Sequence, residues 1–312
     1  MVVNSVESAL KTKEKLIMSN NLIGTEPGRI LALLADITLK ARSGAISADY
    51  LDLLAKGQLV PAPGVKMAES CDPLDMLVSK IERKLSRKLG RHVVPYQLPQ
   101  IVTVENLEKW AAFNAQPIFL PELDLTEDAR LPKRWVRLGA TFYQWLREGK
   151  IGEAIPGVPP TRLRAGWYLA DFSVGPDYTD GTQVFPSDPW TPLLERLRRE
   201  NLVGKHDETP MGSRFAITHD EWTQVVLVHM ASKLGFPAAN VRLERASEFN
   251  AIGNLYDPNR GAHNMWVWLA DPFGDSNRLI GGHRGNGGLA SIDYSWRDDR
   301  SRSIAARPLV VL

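Results

Sequence analysis

Between residues 283 and 303 the chain concentrates side chains that donate, accept or carry charge. They are His283, Arg284 and Asn286, then Ser291, Asp293, Tyr294 and Ser295, then Arg297, Asp298 and Asp299, and finally Arg300, Ser301, Arg302 and Ser303. Charges of both signs interleave, so the chemistry is recognition through ion pairs and hydrogen bonds, not the one-sign stripe that tracks a phosphate backbone. Residues 289–297 alternate with the period of a strand. Ile292, Tyr294 and Trp296 fall on one face, with Ile292 and Trp296 expected as framework and Tyr294 as a binding anchor; Ser291, Asp293, Ser295 and Arg297 fall on the other. Tyrosine and arginine are residue types enriched at binding hot spots. Asp298 and Asp299 read as solvated turn carboxylates, with an acid/base pair as the less economical reading.

Other chemistry finds little support. The only cysteine is Cys71, which excludes an internal disulfide and leaves residues 72–312 without a thiol. The histidines are His92, His206, His219, His229, His263 and His283, and no two stand at the i, i+4 spacing of a helical metal pair. Residues 285–290 spell G-x-G-x-x-A, but a strand pattern follows where the dinucleotide motif needs a helix N-terminus. Neither a G-x-S-x-G elbow nor a P-loop lysine occurs. Asp177 and Asp180 have oxygen ligands suited to calcium, without a full loop pattern around them. No catalytic residue is assigned, and the metal question stays open.

The elements that must hold the 283–303 stretch can be read next. With 312 residues, 44% hydrophobic and 24% charged, the chain is of globular type and long enough for about two domains. Residues 1–92 read as a helical region with segments at 29–42, 47–57 and 73–89. The last has Asp72 as N-cap, Pro73 at the first helical position, Leu77, Ile81, Leu85 and Leu89 as its apolar stripe, and Gly90 as its stop. Its other face carries Lys80, Arg83, Lys84, Arg87 and Lys88, a solvated face without the interleaved aromatics that would stack bases. Residues 93–160 are mixed, with helices expected at 102–114 and 138–150 and with Trp110, Phe113, Phe142 and Trp145 in the core. Residues 161–312 begin after the prolines at 156, 159 and 160. They hold a strand at 167–174, a helix at 192–200, a capping box from Thr218 to Glu221, a helix over 242–252, and then short strands and glycine-rich loops to a closing strand at 304–311.

Three ordered segments of this last region resemble the formylglycine-generating-enzyme family. Asp220-Glu221-Trp222 starts one helix, and Arg242-Leu243, Ala246, Glu248 and Phe249 stand in the next, with Glu244 and Arg245 replacing the family's proline and threonine. Asn264-Met265-Trp266-Val267-Trp268 is similar to its asparagine-x-tryptophan-glutamate-tryptophan strand. Arg278-Leu279-Ile280-Gly281-Gly282-His283 is similar to its arginine-glycine-glycine strand. The resemblance implies an α+β chain with a C-type-lectin-type domain over 161–312 behind a mainly helical N-terminal region. The family's oxidase chemistry needs a cysteine pair that this region lacks, so the resemblance implies a binder instead of an enzyme.

The tail Arg307-Pro308-Leu309-Val310 and the composition of 283–303 also resemble the variable proteins of diversity-generating retroelements, a branch of the same fold. There, residues reachable from asparagine codons vary on a fixed tryptophan and proline framework. The implied partner is a protein or cell-surface ligand, with no nucleic acid and no cofactor beyond calcium. The N-terminal helices offer a surface for oligomerisation. The alternatives are a metal-dependent oxidase or oxygenase of the parent family, and a structural or docking protein. No apolar run is long enough to span a bilayer, and the charged first fifteen residues do not read as a signal peptide, so a cytoplasmic location is the default expectation.

Overall fold

The structure, a computed structural model, describes residues 72–177, 184–206 and 209–312. The helices expected at 29–42 and 47–57, Cys71 and Asp180 lie outside them. The described residues belong to one unit, Cys71–Leu312. It is mixed α+β, with two four-stranded sheets and a two-stranded ribbon.

Helix α1 spans Pro73–Leu89, and Asp72 caps it by accepting from the Leu74 amide at 2.9 Å. Gly90 ends it in the left-handed conformation that glycine adopts without strain. Ile81 and Leu85 of its stripe are buried with Phe119, Trp167 and Leu309. Helix α2, Val104–Ala111, is capped by Thr103 and buries Trp110. Helix α3, Ala140–Arg147, buries Phe142, while Trp145 is only partly buried. Both helices are shorter than their apolar content implied.

The first sheet runs β1 (Ala115–Leu120), β4 (Gly166–Asp171), β10 (Pro308–Val311) and β5 (Val241–Leu243), all antiparallel. Residues from both sides of position 160 therefore share one sheet. The ribbon pairs β2 (Leu123–Asp124) with β3 (Arg162–Leu163). Helix α4, Thr191–Arg199, follows. Helix α5 opens as His219–Glu221, widens into a π-turn over Trp222–Val226 and continues as Leu227–Leu234. Its capping box forms as expected: the Glu221 amide donates to Thr218 Oγ1 at 3.1 Å, and the Thr218 amide donates to Glu221 at 3.0 Å.

Two sequence expectations need correction here. Arg242 and Leu243 are in a strand, not a helix, because they pair with Leu309 and Pro308. Helix α6 begins only at Ala246 and runs to Leu255. The closing strand is also two strands. Ile304–Ala305 (β9) pairs in parallel with β6 (Trp266–Phe273), then the chain crosses at Ala306–Arg307 to enter the first sheet as β10.

The second sheet has the order β8 (Ile292–Trp296), β7 (Asn277–Gly281), β6 (Trp266–Phe273), β9. One of its faces packs Val267, Leu269, Leu279 and Ile292 against Phe142, Phe249 and Met265. The other packs Trp268, Ile280 and Ile304 against Trp222 and Val226. Burying both faces of this sheet fixes its position, and β8 is left at its edge.

Candidate functional site

Strand β8 pairs with β7 over its whole length, from Ile292 opposite Gly281 to Trp296 opposite Asn277. Its other edge is closed locally. The Tyr294 amide donates to its neighbour Asp293 Oδ1 at 2.9 Å, and the Trp296 carbonyl accepts from the Asp299 amide at 2.9 Å. An edge so blunted resists pairing with a further strand. Recognition at this place falls to side chains.

On one face of β8 only Ile292 is buried. Tyr294 is 45% exposed and Trp296 61% exposed; the exposure of Trp296 corrects its expected place in the framework. The core under this face ends at Phe273 and Trp145. Tyr294 stacks on Phe273 with ring centroids 4.3 Å apart and planes 13° apart, and meets Trp145 edge-on at 5.5 Å. Trp296 projects past them. Its exposure was not legible, because alternation assigns a face but not how far the covering layer extends.

The opposite face and the loop after it are tied to the start of α5. Arg297 Nε lies 3.2 Å from Asp220 Oδ2, and the Asp220 amide donates to the Arg297 carbonyl at 3.3 Å. Ser295 donates to Asp299 at 2.6 Å. Arg300 donates from Nη1 and Nη2 to the two oxygens of Glu221, and from Nη1 to the Ala216 carbonyl at 3.1 Å. Glu221 also accepts from the Gly204 amide at 2.8 Å. Burial alone would raise the Glu221 carboxyl; the bonds from Arg300, Gly204 and Thr218 outweigh it and hold it below the usual carboxylate range. Ser301 and Ser303 bond one another, and the Ser301 carbonyl accepts from Ala216.

The sequence-predicted residues therefore divide. Ser291 is buried, and Arg300, Ser301 and Ser303 face inward as fasteners of the loop. Asp293, Ser295 and Asp299 are half-buried, each in a local hydrogen bond. Exposed are Arg284, Asn286, Tyr294, Arg297, Asp298 and Arg302. Arg284 and Asn286 sit on a short 3-10 turn, followed by a second over Gly288–Ala290, and no helix N-terminus forms there. Arg284 Nη2 lies 3.1 Å from Asp177. His283 stacks on Trp266 with centroids 5.1 Å apart. Among the described residues no group of three histidine, cysteine or carboxylate side chains is placed to hold a metal.

No protein-family model, curated protein or solved structure matches this chain. Its site is accordingly read from its own geometry.

Away from the surface lies a set of buried charges that sequence reasoning missed. Arg214 is fully buried and bonds Asp188 through Nε at 2.7 Å, Ser173 at 2.9 Å, and Asp171. Arg260 pairs with Glu244, and Arg242 forks onto Glu248 with both distances 2.6 Å. Among the described residues Arg198 meets no carboxylate within bonding range; it donates to the carbonyls of Gly204 (3.2 Å), Ser213 (2.7 Å) and Phe215 (2.8 Å), and burial lowers its pKa to about 10. His219 is buried against Trp268 at 5.8 Å; burial, then Arg278 and Arg297, push it down to about 3, so it is neutral. These pairs join segments far apart in the sequence, and no local motif announces them.

Proposed function

We propose that the chain is a ligand-binding display protein, a C-type-lectin-type relative of the formylglycine-generating enzymes and a variable protein of a diversity-generating retroelement. Its target is a protein or cell-surface ligand, met by the face formed by the 283–303 stretch. The observation that carries this reading is the division of that stretch. Its inward members fasten the loop to α5, and its outward members stand on the edge strand and adjoining turns. The order β1-β4-β10-β5, with the last strand returning to the middle of the first sheet and a second sheet built between, supports the lectin-type reading.

On such a base, exposed side chains change at little cost to stability, usually under about 0.5 kcal/mol. Binding requires no reacting group, and none of the exposed residues has the oriented base or nucleophile that catalysis needs.

Sequencing the 3′ coding end in many cells of the source population tests the reading. Variation gathered at the codons of Arg284, Asn286, Tyr294, Arg297, Asp298 and Arg302, with Arg300 and Ser291 held fixed, is the expected result. An invariant 3′ end with no reverse transcriptase gene nearby overturns it.

A further inference from the structure

Trp296 is the most exposed tryptophan face at the site, and its indole makes no ring contact with any described residue. Tyr294 stands beside it on the same strand face, its ring backed by Phe273. Two exposed carboxylates lie in the two turns that adjoin Trp296 through the backbone. Asp298 follows in the turn that the Asp299 amide closes onto the Trp296 carbonyl. Asp275 lies in the β6–β7 turn, next to Ser276, whose carbonyl accepts from the Arg297 amide. Neither carboxylate has an ion pair or hydrogen bond among the described residues.

Two neighbouring cations are paired: Arg297 with Asp220, and Lys150 with Glu148 at 2.7 Å. Arg278 donates to the Asn277 carbonyl at 2.8 Å and keeps its charge, but it stands opposite Ser295, on the sheet face away from Trp296. The patch thus presents two aromatic rings and unmatched negative charge.

We propose that Trp296, Tyr294, Asp275 and Asp298 form a seat for a cationic side chain, lysine or arginine, of a partner polypeptide. This deepens the reading above, and rests on it for the existence of a ligand. A cation over an indole face is attracted by the ring quadrupole, most strongly for tryptophan. The carboxylates supply its counter-charge and set its orientation. An apolar partner would instead strip water from Asp275 and Asp298 without replacing it. A partner strand is disfavoured where the Tyr294 amide and the Trp296 carbonyl are already bonded.

The test is titration of hexaarginine into the full chain at about 0.15 M salt, where unspecific surface attraction is largely screened. The chain carries a net charge of +2, which disfavours general attraction of a cationic peptide. Saturable binding is expected, weakened about tenfold by Trp296→Ala and by the Asp275→Asn, Asp298→Asn double variant, and absent for hexaglutamate. Trp296→Phe recovers part of the loss. Binding that both variants leave unchanged overturns the proposal, as does no binding, or binding of a neutral oligosaccharide in place of the peptide. Circular dichroism confirms folding of each variant. The coding-end survey reads the display hypothesis separately, so either idea can fail alone.

Discussion

Arg300 and Glu221 face one another as a two-pronged ion pair, with Nη1 and Nη2 each 2.7 Å from a carboxylate oxygen. The pair ties the loop after β8 to the first turn of α5. Both partners are mostly shielded, at 29% and 20% side-chain exposure, so losing one leaves the other poorly solvated. Arg300→Ala is expected to cost about 2–3 kcal/mol in urea unfolding. Arg297→Ala, whose pair with Asp220 is half in solvent, is expected to cost under about 1 kcal/mol. The depressed Glu221 carboxyl contributes stability that is present above the ordinary glutamate pKa and is lost as pH falls through its lower folded value. Arg300→Ala shrinks that loss.

Gly261 and Gly274 give a matched comparison. Both have positive φ, +80° and +55°. A Cβ on Gly261 would meet the backbone of Gly288 and Leu289 at 2.8 and 2.5 Å, whereas one on Gly274 meets open space. Gly274→Ala carries only the conformational penalty of about 1 kcal/mol. Gly261→Ala adds displacement of the Gly288–Ala290 turn, which follows the one that holds Arg284 and Asn286, for about 3 kcal/mol or more. Thermal unfolding of the two variants separates these effects.

Asp271 and His219 oppose each other in their dependence on pH. Burial pushes the Asp271 carboxyl up to about 6 from 3.8, although the Ala246 amide donates to it at 2.6 Å. The folded state therefore holds a proton that the unfolded state has lost, and stability falls as pH rises through this window, by on the order of 3 kcal/mol. His219, pushed down to about 3 from 6.5, binds its proton only in the unfolded state, so its contribution rises with pH over the overlapping range. Relative to the parent protein, Asp271→Asn makes stability climb more steeply between about pH 4 and 6, and His219→Phe makes it climb less or fall. Equal slopes in all three proteins would contradict both assignments.

Trp268 on β6 and Trp296 on β8 belong to one sheet, separated by β7, and stand in opposite circumstances. Trp268 is fully buried, with its Nε1 donating to the Ile217 carbonyl at 3.0 Å. Trp268→Ala is expected to cost about 3–5 kcal/mol, and Trp296→Ala within about 0.5 kcal/mol. Chemical denaturation at fixed pH measures both.

Much of the fold was legible where a local rule decides it. Asp72-Pro73 and Gly90 bound α1, Thr218 and Glu221 cap α5, and the alternation at 292–296 marks a strand. What escaped was set by distant partners. Arg242-Leu243 is a strand only because β10 lies beside it. The 304–311 run breaks in two because β9 and β10 belong to different sheets. At the site, alternation sorted the faces of β8 correctly, but the inward turn of Arg300 depends on Glu221, 79 residues away in sequence. Arg214 likewise meets Asp171 and Asp188 across 43 and 26 residues.

The Arg198 guanidinium, met by the carbonyl oxygens of Gly204, Ser213 and Phe215, occupies the role that a bound metal ion plays in many folded loops. Because this cation is covalently attached and keeps its charge to about pH 10, it has no dissociation constant and cannot be chelated away. The convergence of those three carbonyls thereby needs no ion from the surroundings.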